Sequence, residues 1–163
     1  ENDVPLRGGT KQEVWDQGLF HRIVRINLVD ENGRVYLQHR AASKYPFPSH
    51  WDNSVAGHVD VDETYEEAAY RELNEETGIT DELPLHEAHY YKSEETNDDG
   101  RKLHRFTKLF RATIDSSHPI TLDPSEADKG QWFTREEAIA LLEDPDALLT
   151  AGLRIALDRQ FPR

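Results

Sequence analysis

The chain has 163 residues, a formal net charge of −13 at pH 7 and no cysteine, and 36% of its residues are hydrophobic, so we predict a single domain over residues 1–163 with one core. The negative charge disfavours nucleic acid as a partner, and the absence of cysteine excludes disulfides and thiolate metal sites. Because no apolar run is long enough to cross a membrane, we expect a cytoplasmic protein with no membrane partner.

Five segments show the alternation or clustering of apolar residues that predicts β-strands. In chain order they cover residues 21–29, 35–39, 54–55, 85–92 and 103–114, and residues 131–133 suggest a further strand. The turn signal Asn32-Gly33 between the first two segments predicts a β-hairpin. Pro46 and Pro48 indicate that a loop leads into the third segment.

Threonine followed three residues later by glutamate, the spacing of a helix capping box, predicts three helix starts. The pairs are Thr10 with Glu13, Thr64 with Glu67, and Thr134 with Glu137. Gly18 and Gly78 are suited to end the first two helices, and residues 147–159 form a last amphipathic helical segment. Strands and helices mixed in this order predict an α/β sandwich.

The second predicted helix carries three glutamates, Glu72, Glu75 and Glu76, within about one turn. Residues three and four apart share a helix face, so these carboxylates repel one another unless a cation lies among them. A hard divalent ion such as Mg²⁺ or Mn²⁺ binds carboxylate oxygens well and would turn the repulsion into affinity. Taken alone, however, the cluster is better explained as a solvated acidic face, the usual origin of a charge run in an acidic protein.

The wider spacing around these glutamates resembles the Nudix box. Gly57 is followed six residues later by Glu63, and then by Arg71-Glu72-Leu73, Glu75-Glu76 and Gly78-Ile79. About nine specified positions are filled over residues 57–79, which makes a chance match improbable. The chain is identified by this motif as a member of the Nudix hydrolase family, and the resemblance extends more weakly from about residue 18 to about residue 133. It implies a Nudix-type α/β/α sandwich with a mixed β-sheet.

The resemblance also implies which residues bind metal. In the family, glutamates of the box bind a divalent ion, which assigns this role to Glu72, Glu75 and Glu76, with the carbonyl of Gly57 as an additional ligand. The ion, Mg²⁺ or Mn²⁺, would neutralise diphosphate oxygens and lower the pKa of an attacking water molecule.

Three further residues of the motif have structural roles by the same resemblance. Arg71 is expected to hold a glutamate of the box by an ion pair. Glu63 is expected to fix the loop that precedes the helix, and Gly78 to end the helix.

Two segments beside the box look like the branch of the family that includes isopentenyl-diphosphate isomerase. They are residues 40–44 and residues 51–58. That isomerase protonates and deprotonates carbon, with a cysteine before the box glycine and a glutamate on a later strand. Here Ala56 fills the first position and residues 103–106 contain no glutamate, so we expect no isomerase activity.

This likeness suggests four substrate-binding residues. Arg40 and Lys44 match positions that contact the diphosphate, and a cation there makes electrostatic sense. His21 and His58 match two histidines that bind a metal in the isomerase. The alternative for both is a hydrogen-bonded histidine near a sheet edge.

The general base is open among several glutamates. Members of the family take it from the box, which here means Glu75 or Glu76, or from a glutamate on a distant loop. Glu126 is our candidate for a loop base, and Glu94 and Glu95 are alternatives. Taken individually, each is better explained as an exposed loop acid.

We therefore predict a metal-dependent hydrolase that cleaves a diphosphate linkage in a nucleoside diphosphate-linked or similar small substrate. Two alternatives stay open, a prenyl-diphosphate isomerase-like activity and a catalytically silent ligand-binding domain. The expected partner is a small diphosphate-containing substrate, and a homodimer is compatible with the sequence.

Overall fold

Seven strands and four helices make up the computed structural model, which describes residues 2–81, 83–97 and 99–162. The strands are β1 (Phe20–Val29), β2 (Val35–Arg40), β3 (Trp51–Asp52), β4 (Val55–His58), β5 (His86–Thr96), β6 (Lys102–Thr113) and β7 (Ala127–Phe133). The helices are α1 (Lys11–Gln17), α2 (Tyr65–Thr77), α3 (Arg135–Glu143) and α4 (Ala151–Gln160). The predicted α/β class with a mixed sheet is confirmed.

All seven strands belong to one sheet, in which β1 is central. The main path runs β3-β2-β1-β6-β5, while β4 also pairs with β1 and β7 with β2. β1 and β6 are parallel, and the other pairs are antiparallel. The predicted hairpin is present but short, because β1 and β2 are paired at Val29 and Val35 while the rest of β1 pairs with β4 and β6.

The helix starts follow the predicted capping chemistry at α2 and α3. Both bonds of the capping box are present between Thr64 and Glu67 and between Thr134 and Glu137. Gly78 ends α2 with a φ of 71°, a left-handed conformation that glycine adopts without steric cost.

Two helix predictions were partly wrong. At α1 the hydroxyl of Thr10 accepts from the amide of Glu13, but the carboxylate of Glu13 pairs with Arg7 at 2.7 Å. The last helix begins at Ala151, later than expected, because Thr150 is its N-cap and accepts from the amide of Leu153.

Alternate residues of a strand point to opposite faces, and the sheet separates two apolar clusters accordingly. Tyr36 belongs to the cluster under α2, whereas its neighbours Val35 and Leu37 belong to the cluster under α3 and α4. On α2, Ala69 and Leu73 are fully buried against the sheet. Two glutamates of the helix are buried beside these residues, so the acidic cluster borders the packed face of α2.

The face of β1 turned away from α2 is polar where a core would be apolar. His21, Arg25 and Asn27 point to this face, whereas Val24 and Ile26, which alternate with them along the strand, point toward α2. Arg25 and Asn27 are buried. Hydrogen-bonding groups buried in a sheet centre require partners, so this face differs from a simple packing surface. No helix in the described parts of the chain is long and apolar enough to span a bilayer.

Candidate functional site

A pocket of about 470 Å³ lies at the polar face of the sheet. Its acidic lining comes from Asp52, Asp60, Glu72, Glu75, Glu76, Asp123 and Glu126, and its basic lining from Lys11, Arg25, Arg40, Lys44, Arg71 and Arg105. Acids of α2 thus face cations from the sheet, the loop after β2 and α1. Such a lining suits an anionic ligand bound together with a cation.

The three clustered glutamates of α2, Glu72, Glu75 and Glu76, differ in burial. Glu72 and Glu76 are buried, whereas the side chain of Glu75 is 58% exposed. Burial raises the pKa of Glu72, and burial together with the nearby charge of Glu72 raises the pKa of Glu76 well above its usual range. Both carboxylates would hold their charge more readily next to a cation.

Gly57 allows β4 and α2 to approach closely. A Cβ at this position would lie 2.0 Å from Cδ of Glu72 and 2.1 Å from its Oε1. The amide of Ala56 lies 3.4 Å from Oε2 of Glu76, and the Gln38 amide nitrogen lies 3.2 Å from the same atom. The backbone of β4 therefore meets both buried carboxylates.

Arg71 connects the residues of the motif. Its Nε and Nη2 bind the carboxylate of Glu63 at 2.8 and 2.9 Å, its Nη1 lies 2.8 Å from Glu72 and 3.4 Å from Glu75, and its Nη2 also donates to the carbonyl of His58 at 2.9 Å. Glu63 in turn accepts from the amide of Asp60 at 2.9 Å, which fixes the loop before α2. This is the arrangement expected of Arg71 and Glu63.

In the described residues, no three His, Cys, Asp or Glu side chains are grouped so that they could hold an ion as they stand. Arg71 accounts for this in part, because it draws Glu72 and Glu75 toward its guanidinium. The donor set nevertheless fits a hard divalent cation, since buried carboxylates whose pKa is raised are oxygen ligands without full compensation of their charge.

Arg40 and Lys44, which we predict to bind substrate, both line the pocket. Arg40 donates to the carbonyls of Pro46 and Phe47 at 2.8 and 2.9 Å and contacts Asp52 at 3.2 Å. These bonds tie the loop after β2 to the sheet. Arg40 is thus positioned by its surroundings, and its charge is shared with Asp52.

Glu126, the loop candidate for a general base, also lines the pocket and pairs with Lys44 at 2.5 Å. Its charge contributes to the raised pKa of Glu76, so the two carboxylates are close in space. The other candidates lie elsewhere: Glu94 is exposed, and Glu95 is buried beside Arg105 on β5 and β6.

His21 and His58 are brought together. Their rings are stacked with centroids 5.1 Å apart, and His58 lines the pocket. Burial lowers the pKa of His21 to about 4 and that of His58 well below its usual range, so both are neutral at pH 7. The charge of Arg105 lowers both pKa values further, and a guanidinium so near disfavours a second cation at this pair.

Sequence reasoning missed several pocket residues. Trp15 and Tyr45 form an aromatic wall with ring centroids 5.0 Å apart, and Arg25 and Arg105 contribute buried guanidinium groups. Arg25 binds Asp52 at 2.7 Å. The available signal was an arginine at an inward position of each of two mainly apolar strands, which is rare unless the charge has a partner.

Comparisons with known proteins identify the family and the fold of the chain. The family model described as NUDIX domain matches residues 19–152. An uncharacterised Nudix hydrolase of Pseudomonas aeruginosa is 32% identical over 97% of this chain and 90% of its own length. An isopentenyl-diphosphate Delta-isomerase of Nocardia farcinica is 35% identical over 88% of this chain and 80% of its own. A crystal structure of a Deinococcus radiodurans protein superposes with a TM-score of 0.72 at 26% identity, covering 88% of this chain and 83% of that one.

Proposed function

This chain belongs to the Nudix family of diphosphate-cleaving hydrolases, and from that premise we propose that it hydrolyses a nucleoside diphosphate-linked or similar small substrate with Mg²⁺ or Mn²⁺. The observation that carries the proposal is the pair of buried carboxylates, Glu72 and Glu76, at one side of a pocket lined on its other side by cations. A divalent ion and a diphosphate together would balance both sets of charges.

In this proposal Glu72, Glu75 and Glu76 hold the ion with the carbonyl of Gly57. When bound, the ion supplies neutralisation of diphosphate oxygens and a lowered pKa for the attacking water. Glu75 is the most exposed of the three. Its contact with Arg71 is long, 3.4 Å, and this is the contact that would break when Glu75 binds the ion.

The chain's own side chains then orient the diphosphate. Arg40, at the end of β2, and Lys44, in the loop that follows, line the pocket and contact phosphoryl oxygens, for which guanidinium and ammonium groups are suited. His58 lies beside them with a neutral ring and can donate or accept one hydrogen bond. His21 supports its ring by stacking.

Glu126 is the proposed general base, with Glu75 and Glu76 as alternatives. Its carboxylate lies within the pocket near Glu76, and the ion pair with Lys44 holds it in place. A base in this position can accept the proton that the attacking water loses.

The isomerase alternative is disfavoured by side-chain chemistry, although isomerases are among the relatives. The methyl group of Ala56 cannot transfer a proton, and Arg105 on β6 is a cation where carbon chemistry needs an acid or base. A catalytically silent domain would have no use for two buried carboxylates so close that the charge of Glu72 raises the pKa of Glu76.

The test is a screen of nucleoside diphosphate-linked compounds and small diphosphates with Mg²⁺ or Mn²⁺, followed by Glu76→Gln. We expect turnover to fall at least about 100-fold in this variant, in the range seen when one electrostatic contribution to catalysis is removed. Glu66→Gln is the matched control, because Glu66 is an exposed glutamate at the start of the same helix. Full activity of Glu76→Gln would refute metal chemistry at α2.

A further inference from the structure

Seven buried side-chain polar atoms lack a hydrogen-bond partner among the described residues, and six of them lie on strands of the sheet. The seven atoms are Nε1 of Trp15, Nε2 of His21 and His58, Nε of Arg25 and Arg105, the hydroxyl of Tyr91 and Oε2 of Glu95. Six of these seven residues belong to β1, β4, β5 and β6, and Trp15 covers them from α1. Buried polar atoms normally have partners, so a concentration of exceptions points to a ligand.

Of the two arginines of this group that line the pocket, Arg25 is bound to Asp52, whereas Arg105 has no contact with that carboxylate within ion-pair distance. Arg105 lies in register with His21 on β1 and with Ser93 on β5, its side chain is only 7% exposed, and it lines the pocket. Its Nη1 donates to Oε1 of Glu95 at 3.1 Å, while its Nε is one of the unpartnered atoms. One carboxylate at one nitrogen leaves most of the guanidinium's donors unused by Glu95.

The chemistry of the unpartnered atoms favours an anion over an apolar group. Arg25, Arg105 and Trp15 present N–H donors, against one unpartnered carboxylate oxygen, Oε2 of Glu95. Burial lowers the pKa of Arg105, which means that its charge is under-solvated and would gain from an anion in contact. A prenyl tail in the same place would leave these donors unpaired.

We propose that Arg105 and the neighbouring donors form a second anion subsite, which binds a carboxylate or phosphoryl group on the part of the substrate beyond the scissile diphosphate. The identification of the bound anion as part of the substrate rests on the proposed function. The subsite itself is a property of the folded chain and does not depend on that function. It narrows the substrate class to diphosphates whose far end is anionic. Arg105 is then a specificity-determining residue and takes no part in the chemical step.

The subsite can be examined without turnover, in protein freed of metal with EDTA. The probes are inorganic phosphate and acetate, followed through the Nε–Hε signal of Arg105 in ¹H–¹⁵N spectra of ¹⁵N-labelled protein. Arg105→Lys identifies the signal and keeps the charge beside Glu95. We expect a saturable shift of the Arg105 signal with at least one probe, and comparison of the two probes tells a phosphoryl site from a carboxylate site.

Variants test whether Arg105 causes the binding. In the double variant Glu95→Gln/Arg105→Gln, which removes both members of the buried pair, we expect affinity for the preferred probe to fall about tenfold, as for the loss of a charged hydrogen bond. Arg111→Gln is the control, since Arg111 is an exposed arginine of the same strand. Its affinity should equal that of the wild type. An Arg105 signal that neither probe shifts, or an affinity that the double variant leaves unchanged, would overturn the proposal.

The last arm separates this subsite from the diphosphate position. Methylenediphosphonate with Mg²⁺ is added to protein saturated with the preferred probe. We expect both to bind together, with the Arg105 signal still shifted. Displacement of the probe, or a probe affinity that depends on Arg40 and not on Arg105, would mean that the anion occupies the diphosphate position and would refute a second subsite. Because the metal-free arms need no hydrolysis, their failure is distinct from a failure of Glu76→Gln to lose activity.

Discussion

Gly57 limits where the carboxylate of Glu72 can lie. A Cβ there would meet the end of a flexible side chain, 2.0 Å from Cδ of Glu72, and not a backbone atom. We predict that Gly57→Ala moves this carboxylate and leaves the strand in place. The Mg²⁺ concentration for half-maximal activity should rise at least about tenfold, while the midpoint of thermal unfolding changes little. Titration of activity with Mg²⁺ and calorimetry measure the two effects.

Gly152→Ala provides the contrast for this prediction. Its Cβ would lie 2.0 Å from Cζ of Arg25, a buried guanidinium held by Asp52 and Asn53. This group has no room to move, so we expect a loss of about 1–3 kcal/mol in unfolding free energy, typical of overpacking. An unchanged Mg²⁺ requirement in Gly57→Ala, with a stability loss like that of Gly152→Ala, would contradict our account of Gly57.

His21 makes stability depend on pH. Burial lowers its pKa to about 4 in the folded protein, while in the unfolded chain it binds a proton near about pH 6.5. Between these values the unfolded state holds more protons, so stability is full above pH ~6.5 and falls as pH decreases, by up to about 1.4 kcal/mol per pH unit. We predict that His21→Gln flattens this slope in urea unfolding between about pH 7 and pH 5.

The comparison must separate His21 from the acids that also titrate. His86→Gln serves as the control, because His86 is an exposed histidine at the start of β5. It should keep the wild-type slope. Equal slopes in His21→Gln and the wild type would show that the buried ring does not resist protonation.

At the scale of elements, α2 is the helix whose ends are best fixed. Thr64 and Glu67 make both bonds of the capping box, whereas at α1 Thr10 makes one. We predict that Thr64→Ala lowers the unfolding free energy by about 1 kcal/mol and that Thr10→Ala lowers it by less than half as much. Urea unfolding of the two variants is the measurement, and a larger effect of Thr10→Ala would contradict the role given to the complete box.

Local chemistry explains which elements could be predicted. The capping boxes of α2 and α3 and the end of α2 at Gly78 depend on residues within a few positions of one another, so their spacing is visible in the sequence. The last helix was predicted to begin at residue 147, whereas α4 begins at Ala151. The prediction was too early because it did not identify Thr150 as the N-cap. The full partner set of β1 could not be derived, since its parallel pairing with β6 joins segments about eighty residues apart.

In the candidate site, too, the features set by local spacing could be predicted, and those set by contacts between distant strands could not. The register of Gly57, Glu63, Arg71 and the glutamates is local, and it predicted the ion pairs of Arg71. The contribution of Arg105 depends on its register with His21 across two strands, which no local pattern encodes. The sequence shows only that Arg105 is a charged residue in a mainly apolar segment, and β6 is in fact largely buried.

For the whole molecule, the buried carboxylates make the free energy of unfolding depend on metal binding. The pKa of Glu76 is raised by burial and by the charge of Glu72, so the folded state keeps this proton to higher pH than the unfolded chain does. Above the folded pKa the metal-free protein carries an ionised buried group and is less stable than at lower pH. An ion bound to Glu76 removes this cost and adds its own binding free energy.

We therefore predict opposite effects of Glu76→Gln with and without metal at pH 8. Without metal the variant should unfold at a higher temperature than the wild type, because folding of the wild type at pH 8 either buries the charge of Glu76 or requires this group to take up a proton. With Mg²⁺ at about 100 times its dissociation constant the wild type should gain about 2.7 kcal/mol and the variant much less. Scanning calorimetry in EDTA and in Mg²⁺ measures both, with Glu66→Gln expected to follow the wild type. A Mg²⁺ stabilisation that survives Glu76→Gln would mean that the ion binds elsewhere, because only an ion held by this carboxylate loses its stabilising effect when the charge is removed.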